Sequence, residues 1–316
     1  MKHILITGIS GFVGTSLVNY FHGKKDIIIH GYSRDIQSAH HLLSAYSIDF
    51  VPNFSAETLD NLQIDVVIHL AGIAHDLSGR YKEQDYQQAN YELTKKIYDE
   101  FAKSHAKTFV FISSVKAVVD HTDQIIDEDF SASPTSAYGL SKRQAETYIL
   151  SHEVAGKLNY ILRPCMIHGP GNKGNLNMLY KFIHKGIPYP LGAFENKRSF
   201  LSIDNFCFVI DKIIEGKLKG DIYLLADSEP VSTNRLVRII GEVLNSKVKI
   251  VRIPKPLIEF LARIGSWIHA PFNTSTVAKL CENMVVSNEK LLLNLNETLP
   301  VAAEEGLNKT IRSFNE

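Results

Sequence analysis

The sequence predicts a doubly wound α/β fold, a parallel sheet with helices on both faces, followed by a smaller C-terminal lobe. Three observations carry this. Short apolar runs alternate with helical patterns through the first half of the chain, and buried strands alternating with helices make a parallel sheet with right-handed crossovers. A spaced glycine triple, Thr7-Gly8-Ile9-Ser10-Gly11-Phe12-Val13-Gly14, stands directly after the first apolar run. The rhythm breaks after Pro164, where the chain to about Lys197 becomes rich in Gly, Pro and Asn.

Each element follows from the local pattern. Lys2–Thr7 reads as a strand and is followed by a helix from Phe12 to about His22. Residues 26–33, 65–71 and 108–113 are the next strands. Between the last two, over residues 85–104, Tyr86, Asn90, Leu93, Ile97 and Phe101 fall three or four apart and share one helical face. A helix over 137–152 leads to a strand at 159–163. Residues 199–204 and 221–226 read as strands again, with a helix between them, and are expected to return to the sheet. The two lobes are thus interleaved: residues 1–164 plus 198–226 form the larger, and 165–197 plus 227–316 the smaller. The stretch 254–271 is apolar, with Trp267 and several aliphatics at helical spacing. It is read as core or subunit contact, with a membrane-surface helix as the alternative.

Composition excludes several classes of function. Over 316 residues, Lys+Arg and Asp+Glu both total 34. No net field therefore gathers nucleic acid or an anionic membrane, and neither is expected as a partner. The three cysteines, Cys165, Cys207 and Cys281, offer neither a disulfide framework nor metal-ligand spacing. They fit a reducing compartment, and a cytoplasmic location without a bound metal is expected. The apolar run at the N-terminus is too short for a signal peptide, and no run reads as a bilayer span.

The glycine triple sits at the first strand-to-helix turn. Glycine there lets the backbone turn tightly and approach a pyrophosphate, while the helix N-terminus offers free N–H groups and partial positive charge. The spacing is G-x-x-G-x-x-G, and its placement points to dinucleotide binding by Gly8, Ser10, Gly11, Phe12, Val13 and Gly14. The end of the second strand should meet the adenosine ribose. Ser33 and Arg34 stand there, with Asp35 one step later. An arginine in that place pairs with a 2′-phosphate, so NADP(H) is favoured over NAD; the alternative is a solvated loop arginine.

Tyr138 and Lys142 lie four apart on a predicted helix and face the same side. A neighbouring ammonium stabilises a phenolate, and such a tyrosine can exchange a proton with a substrate oxygen. The same spacing occurs at Tyr20/Lys24 and Tyr91/Lys95. Only Tyr138 follows the strand end Phe111-Ile112-Ser113-Ser114, and ligands bind beyond such carboxyl ends. Ser114 is the candidate for a hydrogen bond to the same substrate oxygen, so Ser114, Tyr138 and Lys142 are the catalytic candidates.

Together these residues resemble the extended short-chain dehydrogenase/reductase superfamily, in its nucleotide-sugar epimerase/dehydratase branch. The glycine loop, Val67-Ile68-His69-Leu70-Ala71-Gly72, Asn90, Ser114, Tyr138/Lys142, Arg163-Pro164, His168-Gly169-Pro170-Gly171 and Arg198-Ser199-Phe200-Leu201-Ser202-Ile203-Asp204 occur in family order. The resemblance implies a Rossmann lobe that holds NAD(P), a C-terminal lobe that holds a nucleoside-diphosphate sugar such as a UDP-sugar, and a homodimer through the helices bearing Asn90 and Tyr138. It places Leu70, Ala71, Gly72, Asn90 and Pro164 around the cofactor, and His75, Asn175 and Arg198 at the sugar nucleotide. Dehydratases of the family carry an acidic pair after the catalytic hydroxyl residue; here Val115-Lys116 follows Ser114, which disfavours dehydration. Two reactions at C4 of the sugar remain. One is reduction of a UDP-4-keto-6-deoxy-N-acetylhexosamine in cell-surface polysaccharide precursor synthesis, slightly favoured by Arg34 and by the 112–116 and 171–176 stretches. The other is 4-epimerisation of UDP-glucose or UDP-N-acetylglucosamine. The segment before Pro300 lacks the family's Gly-Trp. A non-catalytic NADP(H)-binding sensor is a remote third reading, since this chain keeps both the tyrosine and the lysine.

Overall fold

A computed structural model describes residues 1–74, 80–172, 174–268, 270 and 273–315. Seven strands form one sheet: β1 (Lys2–Thr7), β2 (Ile27–Tyr32), β3 (Asp49–Phe50), β4 (Val66–His69), β5 (Thr108–Ile112), β6 (Leu158–Pro164) and β7 (Ile222–Leu225). Their spatial order is β7-β6-β5-β4-β1-β2-β3, and every pairing is parallel. The chain winds outward from β1 through β2 and β3, then restarts on the other side of β1 with β4. That reversal opens a crevice at the carboxyl ends of β1 and β4, where a doubly wound sheet binds its ligand.

Burial explains the strand composition. Leu5, Val67, Phe109, Phe111 and Ile161 face one side, with Ile97, Phe101 and Ile149 from the helices Leu93–Lys103 and Ala137–Ser151. Ile4, Ile6, Ile68, Val110 and Leu162 face the other, against Leu17, Phe21 and Ile210 from Phe12–Phe21 and Ile203–Ile214. With both faces covered, the strands read as continuous apolar runs. A third core gathers Leu176, Tyr180, Leu191, Ile239, Leu307 and Ile311 from the C-terminal part of the chain. Val285–Val286 pairs with Ile125–Ile126, and Leu291 and Leu295 join the core of the sheet, so the C-terminal segment is stitched to both.

Two local expectations change. Phe200–Ser202 does not return to the main sheet; it pairs in parallel with Met166–His168 in a separate two-stranded sheet. The free edge of β6 is taken by β7, and Ser202 stops the strand by accepting the amide of Asn205 as N-cap of the next helix. The helix expected over 85–104 is interrupted: Glu83–Tyr86 is α, Gln87–Glu92 is a π turn and Leu93–Lys103 is α again. Such π turns concentrate at functional sites, and this one carries Asn90. The apolar stretch near Trp267 is core along one face only. The helix Lys255–Trp267 buries Ile258, Ala262 and Gly265 but leaves Leu257, Phe260, Leu261, Ile264 and Trp267 exposed. No helix among the described residues is long and apolar enough to cross a membrane.

Candidate functional site

The glycine turn forms one wall of the crevice. Gly8 lies in the left-handed region, at φ +69°, and a Cβ there would sit 2.8 Å from the amide nitrogen of Ala71. A Cβ on Gly14 would meet the Gly8 and Ile9 carbonyl oxygens at 2.6 and 2.5 Å. These glycines let the turn lie directly on the Leu70–Ala71 segment after β4. The helix starting at Phe12 has Gly11 as N-cap, with no side chain capping its amides and no acid in its first turn. Its exposed N–H groups and dipole are therefore available to an anion. This is the cradle a dinucleotide diphosphate requires, and the residues present fit that group.

The opposite wall is fixed by a buried network. Asn90 is fully buried; its Oδ1 accepts from the Ile73 amide at 2.7 Å, and its Nδ2 donates to the Ile73 carbonyl and to Ser141 Oγ. It thereby ties the turn after β4 to the helix bearing Tyr138. A Cβ on Gly72 would lie 2.6 Å from Asn90 Oδ1 and 3.6 Å from Lys142 Nζ. Asn90 thus holds the turn through side-chain bonds to protein groups. His69 supports the same turn from below. Thr94 Oγ1 donates to the Asn90 carbonyl at 2.6 Å, so it accepts from His69 Nε2–H at 2.9 Å. His69 Nδ1 then accepts from Thr7 Oγ1 at 2.7 Å, and Thr7 Oγ1 accepts from the Ala71 amide. Burial, with the Lys142 charge, pushes the His69 pKa down to about 3, so this relay stays neutral.

Tyr138, Ser114 and Lys142 meet at the carboxyl end of β5. Ser113 and Ser114 take opposite sides: Ser113 Oγ donates to buried Glu146 at 2.6 Å, while Ser114 Oγ caps a short 3-10 turn through the Lys116 amide and lies beside the Tyr138 phenol. Burial raises the Tyr138 pKa, and hydrogen bonding with Ser114 opposes the rise. Lys142 is buried, donates to the Ile112 carbonyl at 2.8 Å and stands over the Phe111 ring. Burial pulls its pKa down to about 8 against the attraction of Glu146.

The structure separates the three Tyr/Lys pairs. Tyr20 and Lys24 are both bound to Asp211, and Tyr91 and Lys95 pack on the Tyr148 ring. Only Tyr138/Lys142 faces the crevice. Arg34 follows β2 by two residues, is exposed, and has no ion pair or hydrogen bond among the described residues. Ser33 Oγ donates to the Asp35 carbonyl, and the Asp35 carboxylate caps the next helix through Ser38. Pro164 ends β6 beside Leu225 of β7. A Cβ on Gly169 would come within 3.3 Å of the Phe12 ring, so the loop after Met166–His168 covers the start of the glycine-turn helix. Asn175 opens the helix Asn175–His184 and is exposed. Arg198 is largely buried, its Nη2 3.4 Å from Glu282 Oε1. His75 lies outside the described residues. Among those described, no cluster of His, Cys, Asp and Glu could hold a metal.

Three residues that support this geometry carry almost no readable sequence signal. A Cβ on Gly139 would collide with the Lys116 carbonyl oxygen, so glycine lets the Tyr138 helix close on Ser114. Asp120 accepts from the amides and hydroxyls of Thr135 and Ser136 and anchors the start of that helix. Glu146 is fully buried, clamped by Arg163 through two bonds of 2.9 and 2.8 Å. Its spacing from Lys142 is the one hint the sequence offers.

The comparisons agree with this architecture. The chain is 29% identical over 331 residues to a UDP-glucose 4-epimerase of Vibrio cholerae, covering 99% of this chain and 95% of the relative. It is 26% identical to the N-acetyl-alpha-D-glucosaminyl-diphospho-ditrans,octacis-undecaprenol 4-epimerase of Escherichia coli O157:H7, covering 98% and 94%. Its fold matches the crystal structure of UDP-glucuronic acid 4-epimerase from Bacillus cereus in complex with NAD, with a TM-score of 0.77, 19% identity and 99% coverage of both chains. The family model described as NAD dependent epimerase/dehydratase family matches residues 4–226, and the chain belongs to that family of enzymes.

Proposed function

We propose that this chain moves hydride at C4 of a nucleoside-diphosphate sugar, with Tyr138 handling the proton at the C4 oxygen. The observation that carries this is the Tyr138 phenol beside Ser114 at the carboxyl end of β5, next to a glycine cradle shaped for a dinucleotide. Gly8, Ser10, Gly11, Phe12, Val13 and Gly14 would hold the cofactor diphosphate, with Leu70, Ala71, Gly72 and Pro164 lining its path and Ser33 and Arg34 at the ribose. Bound NAD(P) supplies or takes up the hydride. Tyr138 gives its proton to the substrate oxygen in reduction and takes it in oxidation, while Ser114 hydrogen-bonds the same oxygen. Lys142 keeps a positive charge at neutral pH beside Gly72, favouring the anionic form of Tyr138 as the proton leaves. Asn175 and Arg198 would receive the sugar nucleotide, the Arg198 fork turning from Glu282 to phosphate oxygens.

Two outcomes of this chemistry are open to the site. Unpaired Arg34 favours exchangeable NADPH, and with it reduction of a UDP-4-keto-6-deoxy-N-acetylhexosamine. The Vibrio cholerae and Escherichia coli relatives, matched over almost their whole length, favour C4 epimerisation. One incubation separates them: purified protein with UDP-glucose or UDP-N-acetylglucosamine and no added cofactor. The reductase reading expects no C4 epimer, and NADPH consumption with the 4-keto sugar. Appearance of the epimer overturns it in favour of a tightly held NAD.

A further inference from the structure

The helix Lys255–Trp267 presents an apolar face that the fold leaves uncovered. At 100° per residue, Leu257, Phe260, Leu261, Ile264, Trp267 and the following Ile268 fall within an arc of about 120°. All six are exposed, from 41% at Ile264 to 83% at Trp267. Ile258, Ala262 and Gly265 occupy a different arc and are buried, so the helix is already seated on its own lobe by another face. An exposed stripe this continuous marks an interaction surface.

The charge around the stripe identifies its occupant. Residues 247–268 carry Lys247, Lys249, Arg252, Lys255 and Arg263, all exposed, against the single acid Glu259. The whole chain has a formal net charge of +0, so this segment is a local cationic patch. Arg263 lies one helical turn from both Phe260 and Trp267, on the rim of the apolar arc. Lys255 Nζ stands over the Phe194 ring at 5.5 Å, at the helix start. Apolar and aromatic side chains on one face, with cations beside them, match the boundary between acyl chains and anionic headgroups. A second copy of the same face fits worse. Two-fold pairing sets the face against itself, placing the two cationic segments together.

We propose that this helix docks the protein on an anionic lipid bilayer, lying in the interface plane with Phe260, Ile264 and Trp267 inserted. The docking stands apart from the redox site: none of these residues belongs to the crevice at β1, β4 and β5.

Trp267 is the only tryptophan in the chain and reports directly on its surroundings. The protein is mixed with phosphatidylcholine vesicles, with and without phosphatidylglycerol, and followed by flotation and tryptophan emission. The expected result is flotation and a blue shift with the anionic vesicles, weakened by salt and absent or much weaker with the neutral ones. The double variant Phe260→Glu/Ile264→Glu should bind anionic vesicles at least about tenfold more weakly. Its thermal midpoint and its turnover of a soluble sugar nucleotide should stay at the wild-type value, because both positions are exposed and outside the crevice. The proposal is overturned if neither flotation nor shift occurs, or if the neutral vesicles bind equally well. It is also overturned if the emission shifts without lipid, as protein concentration rises, alongside a dimer that the double variant splits. Turnover and flotation are read on the same samples, so failure of one reading leaves the other intact.

Discussion

Replacing Lys142 by methionine should make the protein more stable while removing its activity. The folded state holds the Lys142 ammonium in a buried place, and its pKa falls from 10.5 to about 8. At 1.36 kcal/mol per unit, this is a penalty of about 3 kcal/mol for keeping the charge at pH 7. Methionine fills similar space without a charge but forfeits the bond to the Ile112 carbonyl, a loss of about 1 kcal/mol. The net gain is about 2 kcal/mol, or about 3 °C in thermal midpoint for a chain of this length. The pH dependence is the stricter test. Between pH 8 and 10.5 the unfolded chain binds the Lys142 proton and the folded chain does not, so wild-type stability rises with pH through that window. The methionine variant lacks this rise, and its advantage should vanish near pH 10. Parallel thermal unfolding of both proteins at pH 7 and pH 10 reads the effect, and turnover at pH 7 should fall by about a hundredfold or more. A variant less stable than wild type at pH 7, or a gap constant across pH, would show that the buried Lys142 charge carries no such penalty.

Three further outcomes follow from named contacts. Gly139→Ala places a methyl group against the Lys116 carbonyl, which should cost about 1–3 kcal/mol and lower kcat far more than it raises the KM for cofactor. Arg34→Ala should raise the KM for NADPH about tenfold, the worth of one charge-assisted phosphate contact, and leave the KM for NADH unchanged; an equal effect on both would return Arg34 to the solvated loop. Although burial works to raise the Asp120 pKa, its bonds to Thr135 and Ser136 outweigh that and bring it from 3.8 to about 2. Asp120 therefore adds stability that is present above pH 3.8 and lost as pH falls toward 2. In Asp120→Asn that acid-sensitive portion, less than about 2 kcal/mol after solvent screening, should disappear from urea titrations compared at neutral and acid pH.

The parts of the fold that were legible are those set by local pattern. Strands buried on both faces show as apolar runs, and the glycine turn shows as spacing, so β1, β4, β5 and β6 and their helices could be placed from residues alone. The two-residue strand β3 has too little pattern to see. The strand at 200–202 has the right composition, but its partner is a tertiary choice, made once β7 occupies the edge of β6. The π turn at Asn90 follows from the Thr94 hydroxyl and from a side chain satisfied outside its own helix, neither of which leaves a mark in helical periodicity. The Tyr138 helix was legible, whereas the close approach that Gly139 permits was not, since a helical glycine reads only as a weak helix former. The apolar face of Lys255–Trp267 was visible as a stripe, but which side of it the fold buries could not be read from periodicity.

The proposed role of Tyr138 is to move the proton at the substrate oxygen. Steady-state turnover of Tyr138→Phe, with cofactor binding measured separately by titration, tests it most directly. The expected kcat is lower by about 10²–10⁴, with cofactor affinity and thermal midpoint close to wild type. Wild-type kcat in that variant would contradict it.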